Sequence, residues 1–441
     1  MVLLYHFWQY RAYFSVRYCP KTMRKEEFLT ALRAGLTGLL PEGVEKLVEF
    51  CSEMIDDRME DGLTEEEAVA AAGSLDELIQ QAKAELLPVK TANFTEKSTF
   101  GDTLRTYTAE SSICGIIANC DYTADFKLLP SENGTCRVEC MESEKICYSV
   151  TTENNVLHIE CADRRTLFSR YKFSKAQRHV TVRVYLPQGT YKSLEVETTS
   201  GDIAIPAGYA FDTASLQSTS GDIACCAECS LLSIETTSGD IALKNAKCST
   251  IELCSTSGDI TLENVQSSKK THAETTSGKV QFINLETTEL EIHTASGKVS
   301  SENIKCTTLQ IGTASGEVHL THVKSSNTIE VDTASGKVSL ENTSSAVLHV
   351  DTISGEIDLT RAVSSNSMEI GTISSNIHLE SCDSESLLFE SRSGSIIGTL
   401  NTGKNFYITS RNNKVDVPFD SGEGTCEIET RSGSIRVKIT E

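Results

Sequence analysis

The feature that most constrains this chain is a short motif, Thr-x-Ser-Gly-x-Ile, which recurs every 19 to 20 residues beyond position 190. Eleven glycines mark it: Gly201, Gly221, Gly239, Gly258, Gly278, Gly297, Gly316, Gly336, Gly355, Gly394 and Gly433. Ser375 and Asn413 take the glycine position in two further units. A unit of this length cannot bury a hydrophobic face alone, so the sequence predicts a stacked solenoid over residues 190–441.

The pattern inside each unit indicates the kind of solenoid. Isoleucine or valine stands two residues after every glycine position, from Ile203 to Ile435, and an apolar residue stands five before it. Serine or threonine stands three residues before it. This alternation is typical of β-strands with one inward face. We therefore predict a mainly β fold, a single-stranded two-sheet β-solenoid (β-helix) of about 19–20 residues per coil.

Each coil then needs two tight corners. We expect the repeat glycine to form one corner with a positive φ. Asparagine recurs six residues after the glycine, where it suits a left-handed corner on the opposite side. These residues are Asn245, Asn264, Asn284, Asn303 and Asn342. The Ser/Thr ladder is expected to bond to itself or to corner backbone groups.

For residues 111–189 we predict an irregular β region that starts or caps the solenoid. An open first coil would expose strand edges, so some cap is required. The candidate strands span 135–141, 146–152, 156–161 and 179–186. Residues 88–110 are interpreted as a linker.

Residues 23–87 predict a small all-α domain. Apolar residues recur at helical spacing in three segments, and residues 64–67 form a capping box before the third. The segment has 6 basic and 16 acidic residues, a net charge of -10. Residues 1–22 contain Trp8 and no acidic residue, and we interpret them as an over-extended start or disordered. A membrane-associating segment or an ordered strand are the alternatives.

Residues 23–87 resemble the HAAS-type signalling domain of bacterial regulatory and membrane proteins. The match lies in Met23-Arg-Lys-Glu-Glu-Phe-Leu, in the run from Met54 to Leu63, and in Glu65-Glu-Glu-Ala-Val-Ala-Ala-Ala-Gly-Ser. In that family the domain often precedes a transmembrane helix, whereas residues 81–110 here are polar. The resemblance implies a signalling domain. From the charge alone, a solvated acidic face around a small core is the favoured interpretation, and a protein-docking module that presents this face is the functional alternative.

Residues 110–440 resemble a bacterial adhesin-like β-solenoid family of unknown function. The match is the serial Leu-x-Val-x-Thr-x-Ser-Gly-Asp-Ile, as from Leu194 to Ile203, with the preceding strand that begins at Val180. The resemblance implies the fold, and an adhesive role by analogy. It implies no catalytic residues.

Charge and composition limit the kinds of binding partner and the cellular location that we expect. Of the 441 residues, 40 are Lys or Arg and 62 are Asp or Glu, for a net charge of -22. An acidic surface repels phosphate, so we expect a protein partner and no nucleic acid. No apolar run is long enough for a transmembrane segment. With no signal peptide visible and 16 cysteines, we expect a cytoplasmic protein, the cell surface being the alternative.

Two groups of side chains are candidates for metal binding. Asp202, Asp222, Asp240 and Asp259 follow the glycine in the first four units and would stack as an acidic ladder for Ca²⁺ or a basic partner. Solvated corner residues are the favoured interpretation of this ladder. Five cysteines also come close in repeat register: Cys225, Cys226, Cys229, Cys248 and Cys254. Reduced thiols in inward or corner positions are favoured there over a disulfide or a metal site.

We expect no enzymatic activity and no cofactor. Residues 190–441 contain few aromatics and no cluster of acids with Arg or Lys of the kind that a glycosidase needs. The sequence favours a non-enzymatic, adhesin-like interaction scaffold with a helical docking domain. The alternatives are a regulatory module that senses an envelope or cytosolic ligand, and a carbohydrate-active β-helix enzyme.

The C-terminal strand, residues 435–439, is expected to be an uncovered edge. Arg431, Arg436 and Lys438 lie near it, and charged side chains discourage pairing between strand edges. We therefore expect a monomer or weak self-association.

Overall fold

A computed structural model of the chain describes residues 23–36, 103–109, 112–120, 124–142, 146–163, 180–411, 414–418 and 422–440, with residues 64–70 and separate helical positions between 44 and 79. The chain forms two compact units. One comprises Met1–Thr99 with Arg164–Gln177, and the other Phe100–Asp163 with Arg178–Glu441. The expectations for residues 1–22 lie outside the described residues.

The first unit is helical where it is described. Helix α1 spans Lys25–Gly35 and helix α2 spans Glu65–Ala70. Its buried side chains recur at helical spacing and form one small core: Phe28, Leu32, Leu36, Val48, Cys51, Ile55, Ala68 and Val69. A small N-terminal α domain is consistent with this core. Among the described residues, no helix is long and apolar enough to cross a membrane.

The second unit consists of β-strands. In chain order they are β1 (Thr103–Ala109), β2 (Gly115–Cys120), β3 (Ala124–Pro130), β4 (Cys136–Glu142), β5 (Ile146–Glu153), β6 (Val156–Asp163), β7 (Val180–Leu186), β8 (Gly189–Thr198), β9 (Ile203–Ile205), β10 (Tyr209–Ser218), β11 (Ile223–Cys225), β12 (Glu228–Thr236), β13 (Ile241–Lys244), β14 (Lys247–Ser255), β15 (Ile260–Thr275), β16 (Val280–Glu286), β17 (Glu289–Thr294), β18 (Val299–Thr313), β19 (Val318–Thr333), β20 (Val338–Glu341), β21 (Ser344–Thr352), β22 (Ile357–Thr360), β23 (Val363–Thr372), β24 (Ile377–Cys382), β25 (Ser386–Ser391), β26 (Ile396–Leu400), β27 (Asn405–Ser410), β28 (Val415–Asp416), β29 (Thr425–Thr430) and β30 (Ile435–Ile439).

The predicted β-solenoid is confirmed. Most coils have a long strand before the repeat glycine and a shorter one after it, and β15, β18 and β19 each join two such strands into a single strand of 15 or 16 residues. The strands pair in parallel with their counterparts in the neighbouring coils. Thus β10 lies between β8 and β12, and β11 lies between β9 and β13. The Ile/Val ladder is inward, since Ile203, Ile260 and Ile357 are fully buried.

The repeat glycines are needed for a reason different from the predicted one. The prediction of a positive φ was wrong, because among the described residues the positive-φ glycines are Gly134, Gly208, Gly398 and Gly424, which lie outside the repeat series. A Cβ on the repeat glycine would instead collide with the coil below. At Gly278 it would lie 1.9 Å from the carbonyl oxygen of Gly258.

Side-chain hydrogen bonds close the glycine corners, and the corner at Gly221 has three of them. At Gly221 the backbone N–H donates to Ser218 Oγ at 2.9 Å, and that hydroxyl donates to the Gly201 carbonyl of the preceding coil at 3.3 Å. The next N–H, of Asp222, donates to Asp202 Oδ1 at 2.9 Å. The Ser/Thr ladder thus bonds to corner backbone groups, one of its two predicted alternatives.

The opposite corner uses a left-handed residue, as predicted. All five repeat asparagines have a positive φ, between 52° and 58°. Their amides also bond from coil to coil, as from Asn284 Nδ2 to Asn264 Oδ1 at 2.8 Å. His322, Arg361 and Ser381 take the same position with a positive φ, and the sequence analysis missed them because it looked for asparagine.

The N-terminal end of the solenoid is closed by antiparallel strands. The four candidate strands of this region correspond to β4, β5, β6 and β7. β5 pairs antiparallel with β6, and β4 pairs antiparallel with both β7 and β1. β1 lies within the segment that the sequence analysis assigned to a linker, so the sheet begins earlier than expected.

The coil order at both ends departs from the chain order. The coil of β2 and β3 lies between the β6–β7 pair and the coil of β8 and β9. At the other end, the coil of β29 and β30 lies between the coil of β25 and β26 and the coil of β27 and β28.

This order corrects the expectation for the C-terminal strand. β30 pairs with β26 on one side and β28 on the other, so it is not an uncovered edge. Within the described part of the chain, β27 and β28 form the last coil, and there Tyr407 is 60% exposed and Val415 40%. The final chain segment inserts between two coils because its Thr430 and Gly433 fit the corner of Gly394: Thr430 Oγ1 donates to the Gly394 carbonyl at 3.2 Å.

Gly278→Ala tests the close approach of the coils. We expect it to lower the free energy of unfolding by about 3 kcal/mol, because the new methyl group meets a backbone carbonyl that cannot move aside. Gly189→Ala is the matched control, since nothing lies within 4 Å of a Cβ there. Thermal or denaturant unfolding of the two variants measures the difference. Equal stability of the two variants would contradict the steric explanation.

Candidate functional site

The predicted aspartate ladder has a structural use. Asp222, Asp240 and Asp259 are stacked on successive coils, and each accepts the N–H of the residue that follows the next repeat glycine, at 2.7 to 2.8 Å. Asn376 accepts the corresponding bond from Ser395 at 2.8 Å, so a neutral side-chain carbonyl can replace the carboxylate where this bond forms. The clusters of potential metal ligands found among the described residues do not include this ladder.

The predicted cysteine neighbours also line the interior. Cys229 and Cys248 are paired in register on adjacent coils, as the spacing predicted, and both are buried. Burial raises the pKa of the Cys225 thiol to about 12. The hydrogen bond with Cys248 and burial together raise the pKa of the Cys229 thiol. Cys225, Cys229 and Cys248 therefore fill core positions, whereas Cys226 and Cys254 are partly exposed.

The long-strand sheet carries an acidic outer surface that the sequence analysis did not find. We define the carboxylate face as the outward positions four and six residues before each glycine position. Thirteen carboxylates and three histidines occupy it, with no lysine or arginine. The carboxylates are Glu195, Glu197, Glu235, Glu252, Glu274, Glu291, Glu330, Asp332, Asp351, Glu369, Glu390, Glu427 and Glu429, and the histidines are His272, His293 and His349.

The first histidine cluster joins β15 and β17. His272 on β15 is in register with Glu291 on β17, and His293 follows Glu291 on the same face. The carboxylate of Glu291 lies 3.3 Å from His272 Nδ1 and 2.9 Å from His293 Nε2. Lys270 Nζ approaches the same carboxylate at 2.5 Å.

These neighbours determine the charge state of Glu291. Burial by itself would raise the pKa of this carboxyl, but hydrogen bonds from Lys270 and His293 and the nearby charges outweigh it and lower the pKa to about 2. Glu291 is therefore a carboxylate at neutral pH and an acceptor for cationic neighbours.

The second cluster, Asp332, His349 and Asp351, has a protonated histidine. His349 Nε2 lies 3.2 Å from Asp351 Oδ2, and His349 Nδ1 lies 3.4 Å from Glu369 Oε2. The hydrogen bond to Asp351 raises the pKa of His349 to about 9, against burial and with help from the charges of Glu369 and Asp332. At neutral pH both ring nitrogens therefore carry protons and serve as donors.

A third group lies on the outer surface of the short-strand sheet. Glu356 and Asp358 both contact Lys337 Nζ, at 3.1 and 2.5 Å, and Glu356 lies 3.2 Å from His378 Nε2. Hydrogen bonds to Asp358 and Glu356 raise the pKa of Lys337. The single lysine thus balances one of the two carboxylate charges in this group.

Glycines inside the carboxylate face make room for neighbouring side chains. A Cβ at Gly312 would lie 2.9 Å from His293 Nδ1, and one at Gly371 would lie 2.2 Å from Asp351 Oδ1. A hollow of about 290 Å³ on the same sheet is lined by Glu291, Gln310 and Glu330 among others. This surface could have been found in the sequence, because histidines and acidic residues recur four and six residues before the glycine position, where the alternation places side chains outward.

The pH dependence of stability tests the protonated state of His349. Its folded pKa of about 9 exceeds the ordinary 6.5, so its stabilising contribution is complete below pH 6.5 and is lost as the pH rises through 9. His349→Gln should therefore destabilise the protein by about 1 kcal/mol at pH 6 and by nothing at pH 10. Melting temperatures at both values measure this, with His319→Gln as the control. An equal effect at both values would contradict the assignment.

Comparison with known proteins agrees with this architecture. The family model Toastrack DUF4097, a family of unknown function, matches residues 121–284, 269–372 and 327–441. No curated protein matches the chain. The matched residues include every coil of the repeat series and cover more than half of the sequence. The chain belongs to the Toastrack DUF4097 family.

Proposed function

We propose that the protein is a non-enzymatic interaction scaffold whose carboxylate face binds a basic surface of another protein. The observation that carries the proposal is the composition of this face, with thirteen carboxylates and no lysine or arginine in two aligned columns. Such a surface attracts a partner rich in lysine and arginine and steers its approach.

The rigidity of the solenoid supports this role. The residues that alternate with the face, such as Ile292, Val331 and Val350, are fully buried, so the backbone below the carboxylates is fixed by packing. A surface that is ordered before binding loses little conformational entropy when the partner docks.

The surroundings of the charged groups also favour binding over catalysis. Glu291 and His349 are held in ion pairs along a sheet surface, and the hollow lined by Glu291 and Glu330 is partly open to solvent. A hydrolase instead places its acid and base around an enclosed substrate. For the same reason we propose no carbohydrate-active role.

The helical unit supplies a second proposed docking surface. Residues 23–87 have a net charge of -10 and a hydrophobic core of their own, which includes Phe28, Leu32 and Ile55. This is the composition of a separate module that presents an acidic exterior. An adhesive role would follow if the partner of the carboxylate face lies on another cell.

Neutralising substitutions test the carboxylate face. The triple variant Glu330→Gln, Glu369→Gln, Glu390→Gln should release the partner proteins that the parent chain retains from a native lysate at low salt, and those partners should be basic. The control is Glu286→Gln, Glu302→Gln, Glu380→Gln, which changes the net charge equally at exposed positions outside the face.

Quantitative mass spectrometry of the retained proteins provides the measurement. The proposal requires at least one basic protein that the control variant keeps and the face variant loses. If both triple variants retain the same proteins, the carboxylate face is not the interface.

A further inference from the structure

We propose that His272, Glu291 and His293 form a binding site for a divalent transition-metal ion such as Zn²⁺. The site lies on the carboxylate face, but it does not depend on the docking role proposed for that face. It is the one cluster of this surface in which two histidines converge on a single carboxylate.

The donor set suits zinc. Two imidazole nitrogens and one carboxylate oxygen form a common three-ligand set for this ion, and they leave a fourth position open to water or to a ligand. Harder ions such as Ca²⁺ and Mg²⁺ prefer six or more oxygen ligands, which this cluster does not supply.

The spacing of the donor atoms fits a tetrahedral ion. His272 Nδ1 lies 3.3 Å from one oxygen of Glu291, and His293 Nε2 lies 2.9 Å from the other. All three ligand atoms lie within 4.8 Å of one another. With metal bonds of about 2.0–2.1 Å, tetrahedral ligand atoms are separated by about 3.3 Å, so small side-chain rotations complete the site.

The backbone holds the three side chains in place. His272 and Glu291 are register partners on β15 and β17, and His293 is two residues beyond Glu291 on the same face. The intervening Ala273 and Ile292 are fully buried. Gly312 on the next coil leaves space for the His293 ring, whose Nδ1 a Cβ there would approach to 2.9 Å.

An unsatisfied atom points to a missing ligand. His272 Nδ1 is buried and has no hydrogen-bond partner, since its approach to Glu291 lacks hydrogen-bond geometry. Buried polar atoms are nearly always satisfied, by protein, water or an ion. A metal ion bound by this nitrogen would satisfy it.

Lys270 competes with the ion. Its ammonium contacts the Glu291 carboxylate at 2.5 Å and Glu289 at 3.7 Å. An incoming cation must displace the ammonium, which can stay paired with the exposed carboxylate of Glu289. Lys270 therefore limits the affinity of the site, and removing its charge should strengthen metal binding.

The two other clusters are less suited to a metal ion. His349 is protonated at neutral pH, and both of its ring nitrogens face carboxylates, so it offers no lone pair to a metal ion. Lys337 occupies both carboxylates of the Glu356, Asp358 and His378 group, which contains one histidine.

Optical titration of the full chain with Co²⁺, in a non-chelating phosphine reductant, tests the site. Co²⁺ replaces Zn²⁺, and its visible absorption distinguishes nitrogen and oxygen ligands from the thiolates of the 16 cysteines. We expect one site without thiolate charge transfer, and displacement of Co²⁺ by Zn²⁺. His293→Ala should weaken binding by about 100-fold, since even second-shell changes cost about 10- to 100-fold.

Two further variants complete the design. Lys270→Met should bind Co²⁺ more tightly than the parent, a gain that damage to the fold could not produce. His319→Ala, which removes a histidine outside the cluster, should leave binding unchanged. Thiolate charge-transfer bands, or equal affinity in His293→Ala and the parent, would overturn the site. Neither result would affect partner retention, so this proposal and the docking proposal can fail separately.

Discussion

The close stacking of the glycine corners is the constraint on which the rest of the solenoid depends. Each repeat glycine lies so near a backbone carbonyl of the neighbouring corner that a Cβ built on it would collide with that carbonyl. The serine or threonine three residues earlier bonds to this corner, and in the coils with aspartate or asparagine after the glycine position that side chain accepts the next amide. Together with the parallel strand pairing, these contacts hold the coils in register, and a fixed register aligns all other positions into columns.

Aligned columns create both the core and the charged surface. Inward columns place apolar side chains in a continuous ladder that no single coil could bury. Outward columns place carboxylates directly opposite one another, which is unfavourable between adjacent strands. At Glu390 burial and the charges of Glu429, Asp351 and Glu369 raise the carboxyl pKa. The protonated His349 relieves this repulsion within its own cluster, and His272 and His293 add imidazole groups to the face.

Much of the fold could be predicted from the sequence because the spacing of the repeat and the alternation of residues inside each unit can be read directly. The inward Ile/Val ladder follows from the alternation of apolar and polar residues along each strand. The left-handed conformation of Asn245 follows from the backbone preference of asparagine. The role of the glycines could not be read in this way, because a close approach between coils is a contact over about 19 residues rather than a property of one residue. The coil order at the two ends was hidden for a similar reason, since parallel pairing does not require neighbours in sequence. The histidine clusters are formed by residues of adjacent coils, such as His272 and Glu291. They can be recognised only when the register between the coils is known.

Amide hydrogen exchange at the corners tests the stacking most directly. The amides of Gly239 and Asp240 lie at a turn, where exchange is normally fast, but here they donate to Thr236 Oγ1 at 3.1 Å and to Asp222 Oδ1 at 2.8 Å. The stacking therefore predicts exchange at these two amides as slow as at the neighbouring strand amide of Ile241, with faster exchange at Asp240 in an Asp222→Ala variant. Exchange at the rate of an unprotected turn, unchanged by that substitution, would contradict it.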